Sequence, residues 1–172
     1  MYKWKDGFKP DICDKDEQCR YILGKKGKNT LICIGANPSV ASGGECDTTM
    51  NNLCSILQNN GYDGFVMLNL YPLIATNPND LANFDEKIHK SNLEKIKAIL
   101  AKYKNSDILL CYGDVLNKRK YLKEPCLKDI LKLFDGHKIK CLGTTKNGLP
   151  KHPSRISTKS EIIDYKIKTD NK

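Results

Sequence analysis

A chain of 172 residues, 40% hydrophobic and 28% charged, falls in the size range of one domain and carries enough apolar side chains for one core without disulfide or metal staples. No apolar run reaches bilayer length and none follows the N-terminal lysines, so neither a membrane span nor a signal peptide is expected, and a cytoplasmic monomer is the simplest reading. The balance of 29 basic to 20 acidic residues, net +9, favours a polyanionic partner such as nucleic acid. Only three of the basic residues are arginine (Arg20, Arg119, Arg155), so a lysine-rich composition bias explains the excess equally well.

In chain order, residues 1 to about 18 read as peripheral. The first apolar run, Thr30-Leu31-Ile32-Cys33-Ile34, is continuous rather than alternating, which suits a strand covered on both faces of a parallel sheet. Asp47 then caps a helix with Met50, Leu53, Cys54 and Leu57 on one side, ending near Asn59-Asn60-Gly61. A second run, Gly64 to Leu68, is followed by a helix from about Asp85 to Tyr103. A third run, Asp107 to Cys111, precedes a helix over roughly 114–134 that Pro125 should interrupt. A fourth run spans Lys138 to Leu142. Thr158, three residues before Glu161, has the signature of a capping box and predicts a last short helix. Residues from about 165 to 172 read as peripheral again.

Strands alternating with helices predict βαβ units, hence a single domain over 1–172 built as an α/β/α sandwich on a mostly parallel four-stranded sheet. The eight cysteines (13, 19, 33, 46, 54, 111, 126, 141) show no C-x-x-C. Neither they nor the three histidines fall at zinc-like spacings, so no metal and no other cofactor is expected. Cys33, Cys111 and Cys141 sit inside apolar runs, where a thiol serves as a small hydrophobe.

In sheets of this kind ligands bind beyond the carboxyl ends of the strands. There the sequence has Gly35-Ala36-Asn37-Pro38-Ser39-Val40-Ala41-Ser42-Gly43-Gly44, then Asn69-Leu70-Tyr71-Pro72, then Tyr112-Gly113-Asp114, and finally a long loop from Gly143 through Lys146, Lys151 and His152 to Ser157. Each segment alone reads as an ordinary turn. Four of them at one sheet edge, all rich in small and polar residues, are what a binding cleft requires.

The combination resembles the uracil-DNA glycosylase superfamily. That superfamily joins a Gly-x-Asp/Asn-Pro loop, a strand ending in Leu-Leu-Asn, one ending in Leu-Leu-Trp-Gly, and a late His-Pro-Ser loop. The counterparts here are Gly35-Ala36-Asn37-Pro38, Met67-Leu68-Asn69, Leu109-Leu110-Cys111-Tyr112-Gly113 and His152-Pro153-Ser154-Arg155-Ile156-Ser157. More narrowly, the chain resembles the bacterial and phage family called domain of unknown function 1643. This chain carries that family's pattern as Asn37-Pro38-Ser39-Val40-Ala41, Asp47-Thr48-Thr49, Asn69-Leu70-Tyr71-Pro72 and Gly148-Leu149-Pro150-Lys151-His152-Pro153.

The resemblance implies hydrolysis of the N-glycosidic bond of an unusual, damaged or modified base, in DNA rather than RNA. On that reading Asn37 holds the attacking water and His152 donates to a base oxygen as charge develops there. Asn69 reads the base edge; the family's stacking aromatic has no counterpart after Pro38, and Tyr71 is the candidate to stack on the base from the other side. Ser39, Ser42, Ser154, Lys146, Lys151 and Arg155 grip phosphates, with Ile156 as the apolar wedge that fills a flipped nucleotide's place. Asn37 stands where the most active members have aspartate, and an amide is no general base. Two further readings stay open: a nucleic-acid or nucleotide-binding module of the same fold without chemistry, and an enzyme acting on free nucleosides or nucleotides.

Overall fold

The computed structural model describes residues 2–41, 43–75 and 83–167. Seven strands form one mixed sheet: β1 (Ile12–Lys15), β2 (Arg20–Lys25), β3 (Thr30–Gly35), β4 (Gly64–Asn69), β5 (Ile108–Leu110), β6 (Ile139–Cys141) and β7 (Ile163–Asp164), in the order β1-β2-β4-β3-β5-β6-β7. The four apolar runs of the sequence are β4, β3, β5 and β6, and they pair in parallel at its centre. The sheet is wider than the four strands expected, because β2, β1 and β7 extend it in antiparallel fashion at both edges.

Burial explains the continuous apolar runs. Every residue of β3 and of β4 is buried, and alternate residues feed two separate clusters. Leu31, Cys33, Phe65, Met67 and Leu109 pack with Met50, Leu53, Cys54 and Leu57 of helix α1 (Thr48–Asn59). Ile32, Ile34, Val66, Leu68, Ile108 and Leu110 pack with Ile96, Ile99 and Leu100 of helix α2 (Glu86–Lys102), and with Leu122, Cys126 and Ile130 further along. Since successive side chains of a strand point to opposite faces, the sheet carries a hydrophobic layer on each side. Cys33, Cys111 and Cys141 are buried, and desolvation raises their thiol pKa values, so they behave as core hydrophobes. None of the helices among the described residues is long and apolar enough to cross a membrane.

Helix starts follow their caps. Asp47 accepts from the backbone N–H of Met50 at 2.8 Å, and Asp85 from those of Lys87 and Ile88 at 2.7 and 3.3 Å. The helix expected over 114–134 is instead a series of short pieces. A 3₁₀ turn at Gly113–Asn117 precedes a segment at Leu122–Leu127 that is kinked at Glu124 (φ −135°, ψ 119°), just before Pro125, followed by α3 (Lys128–Leu131). Pro125 has no N–H and cannot continue an α-helical ladder.

The helix expected at Thr158 does not form. Asn59 Nδ2 donates to the Thr158 carbonyl at 2.9 Å and Asn60 Nδ2 to the Ser160 carbonyl at 3.0 Å. Asn60 Oδ1 accepts from the Ile162 N–H at 2.9 Å. These amides at the end of α1 hold the segment on a non-helical path into β7. Tertiary hydrogen bonds have overridden a local capping signal.

Candidate functional site

The loops that follow the parallel strands enclose a cleft of about 550 Å³ on the α1 side of the sheet. That volume lies within the range of small-molecule sites. Asn37, Asn69 and His152 all line it, with Ser39, Lys151, Ser154, Arg155 and Ile156. Three of the four predicted loops thus contribute named residues to one place, and the turn after β5 supplies Gly113 and Asp114.

Asn69 ends β4 on the face shared with Met67. Its register partner is Gly35, and a Cβ on Gly35 would stand 2.8 Å from Asn69 Oδ1. The glycine of the Gly-x-Asn-Pro loop therefore makes room for the asparagine of the next motif. From the other side of the sheet, Asn92 of α2 donates through Nδ2 to the carbonyls of Asn69 and Leu70, at 2.9 and 3.3 Å. Asn69 is 2% exposed, and its Nδ2 has no hydrogen-bond partner among the described residues. A buried amide N–H left unpaired costs about 1–3 kcal/mol, a cost that an acceptor reaching it from the cleft would offset.

His152 is positioned by a second glycine. Gly113 has φ +64°, and a Cβ there would approach His152 Cβ to 2.9 Å. Its N–H donates to the Pro150 carbonyl at 3.0 Å, which closes the last loop over the end of β5. His152 Nδ1 lies 2.8 Å from Ser154 Oγ and 3.4 Å from the Ser154 backbone nitrogen. A backbone N–H can only donate, so Nδ1 accepts and the ring proton sits on Nε2. Burial lowers the imidazole pKa below 6.5, Arg155 lowers it further, and Asp47 opposes both. At neutral pH the side chain is a neutral Nε2–H donor.

Asn37 uses half of its amide internally: Nδ2 donates to the carbonyls of Ala75 at 2.8 Å and Pro38 at 3.1 Å. Its Oδ1 is the group left to orient a water. Ser154 bonds to His152, so it supports the imidazole as well as facing the cleft. Ile156 is half-buried against the α1-side cluster, whereas Val40 in the first loop is 45% exposed.

Other sequence assignments shift. Tyr71 does not line the cleft. It is fully buried, packs against Phe84 and Tyr121, and its hydroxyl accepts from the Asp85 N–H at 2.9 Å. Its place in the motif belongs to the core and to the start of α2, away from the cleft where a stacking role was expected. Lys146 is exposed in the turn that Thr145 and Gly148 close, outside the cleft lining. Ser42 lies outside the described residues. Conversely Arg20, Asp47, Asp114 and Lys118 line the cleft, and none was assigned to a binding role from sequence. Asp47 was read as a helix cap, which it also is. For Arg20 the available signal was the scarcity of arginine in so lysine-rich a chain.

The sequence matches the family described as Protein of unknown function (DUF1643) over residues 20–154, a span that contains every parallel strand and all three cleft residues Asn37, Asn69 and His152. The chain belongs to that family. The matched region ends at Ser154, within the His152 loop, so β1, β7 and the cleft residues Arg155 and Ile156 lie outside it. No curated protein and no solved structure matches the chain.

Proposed function

We propose that the cleft recognises a nucleobase and that the chain hydrolyses the N-glycosidic bond of an unusual, damaged or modified base in DNA, on the fold plan of the uracil-DNA glycosylases. The observation that carries this reading is the buried, unpartnered amide of Asn69 in the same cleft as a neutral His152. An amide offers one donor and one acceptor side by side, the pattern a base edge requires. In the proposed step the bond between sugar and base breaks with its electron pair moving to the base. The Nε2–H of His152 donates to a base carbonyl oxygen as negative charge builds there. Water held by Asn37 Oδ1 adds to the sugar carbon, and its proton leaves to solvent or to the departing base.

Single-turnover excision on oligonucleotides carrying uracil, hypoxanthine, mismatched thymine, alkylated or phage-type bases tests this. His152→Ala should lower the rate by about 10²–10³-fold, the range for losing one oxyanion donor, with little change in DNA affinity. Asn69→Ala should relax the choice of base as well as slow the reaction. Asn37→Asp loses the Nδ2 donor to the Ala75 and Pro38 carbonyls but gains an acceptor for the proton of water, so it should raise the rate if the variant keeps the wild-type melting temperature.

A binding module without chemistry is the second reading. It is favoured by the Asn37 amide being committed to Ala75 and Pro38. If neither wild type nor Asn37→Asp releases any base while an oligonucleotide binds in the cleft, that second reading replaces the first.

A further inference from the structure

Arg20 is 4% exposed and lines the cleft. Its Nη1 donates to the Ala41 carbonyl, its Nε has no partner, and no carboxylate pairs with it among the described residues. A buried charge is costly unless it is paired. Elsewhere the chain pairs its cations: Lys25 with Asp11, Lys95 with Asp14, and Lys140 with Asp107 and Asp164. Of the acids in the cleft, Asp47 caps α1 and acts on Arg20 only at longer range. Asp114 accepts from Thr145 and Asn147.

A defect in the edge strands turns Arg20 toward the cleft. The β1–β2 register shifts between Asp14 and Lys15, so that Asp14 faces Ile22, Lys15 faces Arg20, and Tyr21 is left over. Without the bulge Arg20 would share the face of Ile22, which belongs to the α2-side cluster. With it, Arg20 takes the face of Leu23, the α1 side, where the cleft lies. Bulges commonly re-aim one side chain in this manner. The Arg20 backbone N–H donates to the Pro72 carbonyl at 2.9 Å, which fixes it beside the turn that follows Asn69.

We propose that Arg20 is an anion-binding residue deep in the cleft and that the ligand carries a phosphate close to the base contacted by Asn69. This rests on the nucleobase reading given above. The planar guanidinium suits a phosphate because two of its N–H groups can bond two oxygens at once. The phosphate belongs either to a free nucleotide or to the nucleotide held within a strand, and the two sources are separable.

The experiment is calorimetry on the full chain with inorganic phosphate, the four deoxynucleoside 5′-monophosphates, their nucleosides, and a single-stranded oligonucleotide. Wild type should bind a monophosphate at least about tenfold more tightly than its nucleoside, as expected for a charge-assisted contact. Arg20→Gln, which keeps a polar, uncharged side chain but ends short of the Nη1 that reaches the Ala41 carbonyl, should lose that preference while retaining nucleoside affinity. Arg20→Lys should keep part of it, and this second variant covers a failure of the first to fold. Loss in Arg20→Gln confined to mononucleotides identifies a free nucleotide, and an equal loss on the oligonucleotide identifies a strand phosphate. Both outcomes support the anion site. Equal affinity of wild type for monophosphate and nucleoside, or a phosphate preference that survives unchanged in a folded Arg20→Gln, would overturn it; where Arg20→Gln melts below the assay temperature, an unchanged preference in Arg20→Lys overturns it instead. Asn69→Ala separates the two readings: if it leaves all binding unchanged, the base reading fails while the phosphate preference stands or falls on Arg20.

Discussion

Replacing Gly35 with alanine probes the contact that orients Asn69. The new Cβ would lie 2.8 Å from Asn69 Oδ1, closer than real Cβ contacts come, whereas Met67 Sδ at 3.6 Å and the Leu68 carbonyl at 3.8 Å are ordinary neighbours. The amide has little room to retreat, since Asn69 is 2% exposed and its backbone carbonyl is held by Asn92. Gly35 is not among the glycines with positive φ, so alanine brings no backbone strain and by itself would stabilise by about 0.4–1 kcal/mol through the unfolded chain. Overpacking costs about 1–3 kcal/mol. The expected net loss in urea denaturation is therefore about 0.5–2 kcal/mol. In an Asn69→Ala background the clashing oxygen is gone, and Gly35→Ala should become neutral or stabilising, giving a coupling of about 1–3 kcal/mol in the double-mutant cycle. Gly43→Ala, with nothing within 4 Å of its Cβ, is the control and should stay within about 0.5 kcal/mol. An equal cost of Gly35→Ala in both backgrounds would refute the placement of the Asn69 side chain across β3.

Arg155→Gln removes one of the two causes that depress His152, so in an NMR titration its pKa should rise toward 6.5 but stay below it, since burial remains the larger cause. In wild type the unfolded histidine takes up its proton first as pH falls. Its contribution to stability is thus full above 6.5 and lost between 6.5 and the lower folded value, which denaturation as a function of pH measures against His152→Gln. Asn92→Ala should cost about 1–3 kcal/mol in urea, because two buried carbonyls at the end of β4 lose their donor. Neutralising Lys151 and Arg155 together should flatten the log–log salt dependence of oligonucleotide binding by about 2, near 0.9 per phosphate contact. Neutralising the outlying Lys146 should change it far less.

The parallel centre of the sheet was legible because β3, β4 and β5 are buried on both faces and so read as unbroken apolar runs. The caps Asp47 and Asp85 were legible because a helix start is a local event. The edge strands were not. β1 is Ile-Cys-Asp-Lys with alternate residues exposed, and β7 is two exposed residues, so neither leaves the pattern of a core strand. Asn37, Asn69 and His152 could be read from their positions after strands. Arg20 could not, because its facing depends on a bulge whose register is set between chains of hydrogen bonds. Tyr71 stands two residues after Asn69 and would share its face in a continued strand, but β4 ends at Asn69 and the turn carries Tyr71 into the α2-side cluster.

The asparagine contacts that keep residues 158–162 from becoming helical also bear on how the cleft comes into being. Asn52, Asn59 and Asn60 of α1 reach Pro153, Thr158, Ser160 and Ile162 across 99 to 102 positions of chain. The wall that carries His152 is thus held by backbone bonds to Gly113 and Gly143 and, beyond them, by side-chain amides of very long loop closure, whereas the wall that carries Asn69 is woven into the sheet. Contacts of that kind form only after the intervening chain has condensed. A ligand bridging Asn69 and His152 would tie these two walls together, and its binding should raise the hydrogen-exchange protection of residues 152–162.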